Sequence, residues 1–272
     1  MLPFLRLGPL LLQLPGLALL AGVWIGSSLA EREAALMPGA ASHRPPLPAA
    51  VYNLIFAGLI AGVIGARLAY AARFAAVYLA NPLSLLALTP ATLSPAWGVA
   101  AGLAVAGLYG YRHRLPLRPT LDALAPGLAV FLVGLAVSHV LSGDAFGAPA
   151  YSGEGRTPLP WAVYLWDEYR QPTQFFEVAA ALAVLVASRR RPFDITGRGL
   201  NFWLVVALSA AARVFLEAFR GDSLIWAGGM RATQVAGLAV LAAALWLMGR
   251  WVRTGSGGDV TGLKPVENAR SD

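Results

Sequence analysis

The chain has 272 residues, of which 57% are hydrophobic and 13% charged, with 29 Gly, no Cys and a net charge of +7. Ordinary soluble domains carry about 25% charged residues, so this composition excludes a disordered chain, a basic nucleic-acid-binding domain and a typical soluble enzyme. It points to a polytopic membrane protein, and the lack of Cys excludes disulfides, thiolate metal sites and a cysteine nucleophile of the chain's own.

A helix crosses a bilayer with about 20 mostly apolar residues. Seven runs meet that description: residues 7–30, 51–72, 93–111, 121–142, 173–188, 199–219 and 230–251. The first follows Arg6 and has a Ser28-Leu29-Ala30 stretch resembling a cleavage site, so it also admits a signal-peptide reading. Its apolar length exceeds the about 7–15 residues of a signal core. The third run starts close to Pro95, and the fifth is short unless it begins before Pro172. Small residues are dense in the second run (Ala57-Gly58, Ala61-Gly62, Gly65-Ala66), which lets membrane helices approach closely. The expectation is an all-α integral membrane protein with about seven transmembrane helices. Residues 1–252 form a single polytopic domain, and the polar residues 253–272 form a disordered cytoplasmic tail.

Arg and Lys outside the runs divide unevenly: 13 fall in the loops on one side together with the tail, against 6 on the other. The richer side, which holds Arg112, Arg114, Arg118 and Arg189–Arg191, is expected to be cytoplasmic. The N-terminus is then outside and the C-terminus inside. Residues 143–171 fall on the outer side and carry Tyr151, Trp161, Tyr164, Trp166 and Tyr169. Trp and Tyr favour the membrane–water interface, so this stretch reads as an interfacial arm or lid.

Ionisable groups inside spans are costly, at about 2.5–3.5 kcal/mol each on insertion scales, and mark functional sites by default. The second run holds Arg67, whose alternative is simple snorkelling to the interface. The fourth ends in His139, Ser142 and Asp144, with Gly147 beyond; a His beside a carboxylate suits general-base work, and the alternative is a packing His. The fifth opens with Gln174 and Glu177, residue types that also serve plain helix initiation after Pro172. The sixth has Arg213, Glu217 and Arg220 on one helical face, either an anion site or a pair that locks helix packing. All these groups fall near the outer ends of their spans. They suggest one cavity open to the outer leaflet, with its Arg groups suited to an anionic ligand such as a phospholipid headgroup.

At these residues the chain resembles the prolipoprotein diacylglyceryl transferases. Gly65-Ala66-Arg67-Leu68-Ala69-Tyr70 is similar to the family's G-G-R-x-G-Y. Residues 171–177, Gln-Pro-Thr-Gln-Phe-Phe-Glu, are similar to its H-P-S-Q-x-Y-E. The stretch from Arg213 to Arg220 matches R-x-x-x-E-x-x-R at every charged position. The chain departs from the family at three further places. Ala136 stands where the signature has an Arg, and His139, Ser142 and Asp144 replace its Asn, Asn and Glu. Ala96 stands where the third span has a His, and Pro15 falls near a family Tyr.

The resemblance implies transfer of a diacylglyceryl group from phosphatidylglycerol to the lipobox cysteine thiol of prolipoproteins, in the bacterial plasma membrane. Arg213 would hold phosphate, Glu217 would fix that Arg, and His139 would act as base. Arg67, Asp144, Gly147, Gln174, Glu177 and Arg220 would bind substrate. The partners are phosphatidylglycerol and prolipoprotein signal peptides; no cofactor, metal or nucleic acid is expected. A second reading is an inactive relative that binds anionic phospholipid as a scaffold or lipid carrier.

Overall fold

A computed structural model describes residues 4–8, 10–37, 46–86, 92–152, 157–190, 198–226, 229 and 231–256. A hairpin of strands β1 (Phe4–Leu7) and β2 (Leu10–Gln13) precedes helix α1 (Leu14–Leu36). The first span therefore starts at Leu14 rather than residue 7, because Pro15 sits in the first turn, where a missing N–H costs nothing. Helix α2 (Pro48–Arg73) is followed by the short α3 (Ala75–Ala80) and a 3-10 turn at Pro82–Leu86. Then come α4 (Pro95–Arg112), α5 (Leu117–Ser142), α6 (Thr173–Arg190), α7 (Leu200–Glu217) and α8 (Ala232–Ser256). Between α5 and α6 lie two further small hairpins, β3 (Tyr151–Ser152) with β4 (Thr157–Pro158) and β5 (Val163–Leu165) with β6 (Glu168–Arg170).

Among the described residues, five helices are long and apolar enough to cross a membrane: Leu14–Leu36, Pro48–Arg73, Leu117–Ser142, Leu200–Glu217 and Ala232–Arg253. This is an all-α integral membrane fold, with five such helices where seven were expected. The other two runs form α4 and α6, of 18 residues each. Glu177, Arg189 and Arg190 take three places in α6, and α4 is diluted by Gly and by Pro95. Helix α8 runs on to Ser256, and the rest of the expected tail lies outside the described residues.

The packing is inverted relative to a soluble protein. Buried positions are mostly small: Ala30, Ala34, Ala123, Ala125, Ala129, Val51 and Val205. Large apolar side chains such as Leu20, Trp24, Ile60, Leu103, Leu238 and Leu245 face outward. In lipid there is no hydrophobic gain from hiding Leu from a neighbouring Leu, so helices associate through close backbone contact at small residues. Helix α1 lies against α5 in this way. A Cβ added at Gly127 would sit 2.5 Å from the Gly26 carbonyl oxygen, and one at Gly134 3.0 Å from the Ala18 carbonyl oxygen. Helices α2 and α4 meet similarly, with Gly102 facing the Gly58 carbonyl. Gly127→Ala is therefore expected to lower stability in detergent by about 1–3 kcal/mol, the usual cost of overpacking. Gly107→Ala, whose new methyl would meet nothing within 4 Å, is the matched control in a thermal unfolding measurement. Equal unfolding temperatures for the two variants would contradict the close approach.

Polar contacts fasten the end of the bundle where α5 and α7 begin. The buried Asp122 carboxylate accepts from the amides of Gly199, Asn201 and Phe202 at 2.7, 3.0 and 3.3 Å, which satisfies the first turn of α7. Buried Glu33, late in α1, pairs with Arg189 of α6 at 3.2 Å. The Arg118 guanidinium stacks on Trp251, 5.0 Å from the ring centre, which ties α5 to α8. With this end locked, the opposite ends of α5, α6, α7 and α8 surround the candidate site.

Candidate functional site

Four helix ends supply the site. His139 lies in the last turn of α5, and its carbonyl accepts from the amide of Gly143, a left-handed C-cap residue with φ of 82°. Glu177 lies in the first turns of α6, Arg213 and Glu217 in the last turns of α7, and Thr233 in the first turn of α8.

These side chains form a continuous chain of polar contacts. His139 Nδ1 is 2.8 Å from Glu177 Oε2. Glu177 Oε1 is 3.6 Å from Arg213 Nη1. Arg213 Nε is 3.5 Å from Glu217 Oε2, which also faces Arg220 Nε at 3.9 Å. Glu217 is 1% exposed, so it is the buried counter-charge for both guanidinium groups. Thr233 donates its hydroxyl hydrogen to Glu217 Oε1, and Arg231 donates to the carbonyls of Glu217 and Arg220.

The two arginines of the motif differ in what they have left to offer. Arg220 is closed off by a bidentate pair with Asp222, at 2.9 and 2.6 Å. Arg213 has a 36% exposed side chain and two loose ion pairs. Among the described residues it makes no hydrogen bond, although a guanidinium has five N–H donors. It borders a cavity of about 500 Å³ between α5, α6, α7 and α8. Thr173, Glu177, Arg213, Arg220 and Thr233 supply polar groups, while Leu128, Leu132, Leu135, Val184, Val206 and Val240 are among its apolar lining residues.

Of the residues singled out in the sequence, Glu177, Arg213, Glu217 and Arg220 meet here, and His139 joins through Glu177. Gln174 is buried beside them, and its Nε2 has no hydrogen-bond partner among the described residues. Gly147 serves the frame. It bridges to Arg220, and a Cβ there would collide with the Gln171 carbonyl oxygen. The neighbouring amide of Ala148 donates to the Phe219 carbonyl at 2.8 Å, so this loop is fastened to the end of α7.

Two residues depart from the expected single cavity. Asp144 is exposed, and among the described residues only its amide is engaged, donating to Ser142 Oγ at 3.2 Å. Arg67 is 6% exposed and donates to the carbonyls of Ser84, Leu85 and Thr92 at 2.5, 3.1 and 3.1 Å. It also lies over the Tyr78 ring at 5.2 Å. Arg67 therefore neither snorkels nor lines the cavity with Arg213; it pins the segment after α2 to that helix. The described residues of the aromatic stretch 143–171 include two small hairpins, with Trp161, Tyr164 and Trp166 exposed. Sequence reasoning overlooked Thr233, Arg231 and Asp222, which hold Glu217 and Arg220 in place. Arg231 and Thr233 flank Ala232, the first residue of α8, and Asp222 lies two residues after Arg220.

Comparison with known proteins places the whole chain rather than the site. The chain matches the family described as prolipoprotein diacylglyceryl transferase over residues 3–250. A protein of Lactobacillus gasseri named phosphatidylglycerol–prolipoprotein diacylglyceryl transferase is 27% identical over 267 residues, covering 93% of this chain and 94% of its own. Proteins of the same name from Thermus thermophilus and Rhodospirillum centenum are 28% and 26% identical, covering 90% of this chain each and 96% and 89% of their own. With nearly its whole length matched, the chain belongs to the prolipoprotein diacylglyceryl transferase family.

Proposed function

We propose that this protein transfers a diacylglyceryl group from phosphatidylglycerol to the lipobox cysteine thiol of prolipoproteins, releasing glycerol phosphate. The observation that carries the reading is Arg213: an intramembrane guanidinium with unused donors, at the edge of a cavity with an apolar lining. Such a site suits a ligand with a phosphate head and a hydrocarbon body. As the glyceryl carbon–oxygen bond breaks, charge grows on the departing phosphate. Preorganised donors stabilise that charge more than they stabilise the ground state. Glu217 keeps Arg213 oriented without competing for all its donors. Acyl chains lie along the leucine and valine lining.

The nucleophile is the substrate's thiol, which explains why a Cys-free chain can serve. A thiol attacks as the thiolate, so a base must take its proton. His139 takes that role. Arg220, Gln174, Glu177 and Gly147 belong to the substrate-binding region as side chains or frame; Asp144 acts only through the loop it sits in, and Arg67 only through the segment it pins to α2. An accessible Arg213, with a 36% exposed side chain, suits phospholipid binding under either reading, so product formation and not lipid binding separates a transferase from a binding-only relative.

The protein acts as one polytopic domain, residues 1–252, in the bacterial plasma membrane, with the N-terminus outside and the C-terminus cytoplasmic. The positive-inside count of 13 against 6 supports this orientation. Because the chain has no Cys, single introduced cysteines report sidedness cleanly. Phe4→Cys is expected to label from outside and Arg190→Cys only after the membrane is opened. External labelling at position 190 would reverse the orientation. Function is tested by expressing the chain in a bacterium depleted of its own diacylglyceryl transferase: lipid-modified lipoproteins reappear, and continued accumulation of unmodified precursor would count against the reading.

A further inference from the structure

We propose that Glu177 is a positioning residue that fixes His139 as the Nδ1–H tautomer and leaves Nε2 as the acceptor of the substrate thiol's proton; this rests on the transferase reading above. The two residues are 38 apart in sequence and on different helices, yet Nδ1 and Oε2 lie 2.8 Å apart. A carboxylate accepts hydrogen bonds and donates none. Nδ1 must therefore carry the hydrogen, and in a neutral ring Nε2 then holds a free lone pair. Among the described residues Nε2 has no hydrogen-bond partner, and the His139 side chain is 21% exposed.

Glu177 is itself restrained. Its second oxygen faces Arg213 at 3.6 Å, so the carboxylate is held between the ring and the guanidinium. The ring's backbone is equally fixed, because its carbonyl accepts from the Gly143 amide at 2.9 Å. The resemblance puts Asn at position 139 in typical members, and an Asn there has no ring nitrogen for Glu177 to orient. The pair is thus a feature of this chain's own substitutions.

The step balances as follows. The thiol proton passes to His139 Nε2. The sulfur lone pair forms the S–C bond to the glyceryl carbon, the C–O bond breaks, and its electron pair leaves on the phosphate oxygen. One cation forms at His139 and one anion charge grows beside Arg213. The imidazolium draws Glu177 toward itself, as the buried carboxylate does in a serine-protease triad. That weakens the hold of Glu177 on Arg213, whose donors turn to the departing phosphate. One carboxylate thereby couples the proton transfer to the departure of the phosphate.

The test uses the full chain in detergent with phosphatidylglycerol, and nitrogen-15 histidine NMR. The chain has three His, so His139→Gln identifies the resonance by its loss. The expected result at the pH of the assay is a neutral ring protonated on Nδ1. Glu177→Gln can present its amide NH2 to Nδ1 and hold the opposite tautomer. Its resonance should switch to Nε2–H, and kcat should fall roughly 10²-fold, the low end of a general-base contribution. KM for phosphatidylglycerol should move much less. An imidazolium or an Nε2–H ring in the unmutated protein overturns the proposal, as does an unchanged kcat in a Glu177→Gln protein that still binds phosphatidylglycerol. No transfer by the unmutated protein overturns the transferase reading, and the tautomer of its ring then decides the orienting contact by itself.

Discussion

Arg213→Ala lowers kcat/KM for diacylglyceryl transfer by roughly 10²–10³, the usual loss when a preorganised donor at a developing anion is removed. The expectation follows from the donor inventory of the site. Arg220 spends its guanidinium on Asp222 and Arg231 spends its own on carbonyl oxygens. Arg213 has no hydrogen bond among the described residues, so no neighbouring guanidinium is equally free to replace it. Arg213→Lys keeps a charge but loses the planar fork and should recover only part of the rate. Arg213→Ala also leaves Glu217 with the Thr233 hydroxyl and the distant Arg220 at 3.9 Å, so a thermal unfolding measurement accompanies the kinetics. A near-normal rate in a stable Arg213→Ala protein would remove Arg213 from the phosphate site.

His139→Ala lowers transfer by roughly 10²–10⁴, the contribution of a positioned general base, while phosphatidylglycerol binding stays nearly intact. The separation is the informative part. His139 adjoins the cavity through Glu177, which lines it, whereas Arg213 borders the cavity directly and supplies its charge. Loss of the ring removes a proton acceptor without emptying the anion site. Initial rates with a lipobox peptide and labelled phosphatidylglycerol, alongside lipid binding by the same preparation, decide the matter. Unchanged transfer would reject the base role.

Much of the bundle was legible because it follows from local periodicity. Runs of apolar residues set α2, α5, α7 and α8, and Arg213 shares a face with Glu217 because four residues is close to one 3.6-residue turn. Span ends were less legible. Pro15 and Pro95 each open a helix, and a proline at the first turn shifts a boundary without changing hydropathy. The short hairpins at residues 4–13 and 151–170 contain strands of two to four residues, too short to show an alternating pattern.

The site divides in the same way. The charged pair within α7 could be read from spacing, but the contact of His139 with Glu177 joins two helices across 38 residues and has no local signature. Arg67 was read as part of an anion site because a charge inside a span usually marks function. Its partners are the backbone carbonyls of Ser84, Leu85 and Thr92, and every residue type carries such a carbonyl, so no pattern of side chains announces the cage. Asp122 went unremarked for a related reason. Its carboxylate caps α7 from another helix, and the amides it satisfies have no sequence identity.

The most direct measurement is made on the purified, unmutated chain with phosphatidylglycerol and a lipobox peptide. Mass spectrometry follows the peptide, and the released phosphate ester is quantified in parallel. The account predicts a diacylglyceryl thioether on the cysteine and glycerol phosphate in equal amounts, both abolished when the peptide's cysteine is replaced by serine. Phosphatidylglycerol bound at the Arg213 cavity with neither product formed would contradict it.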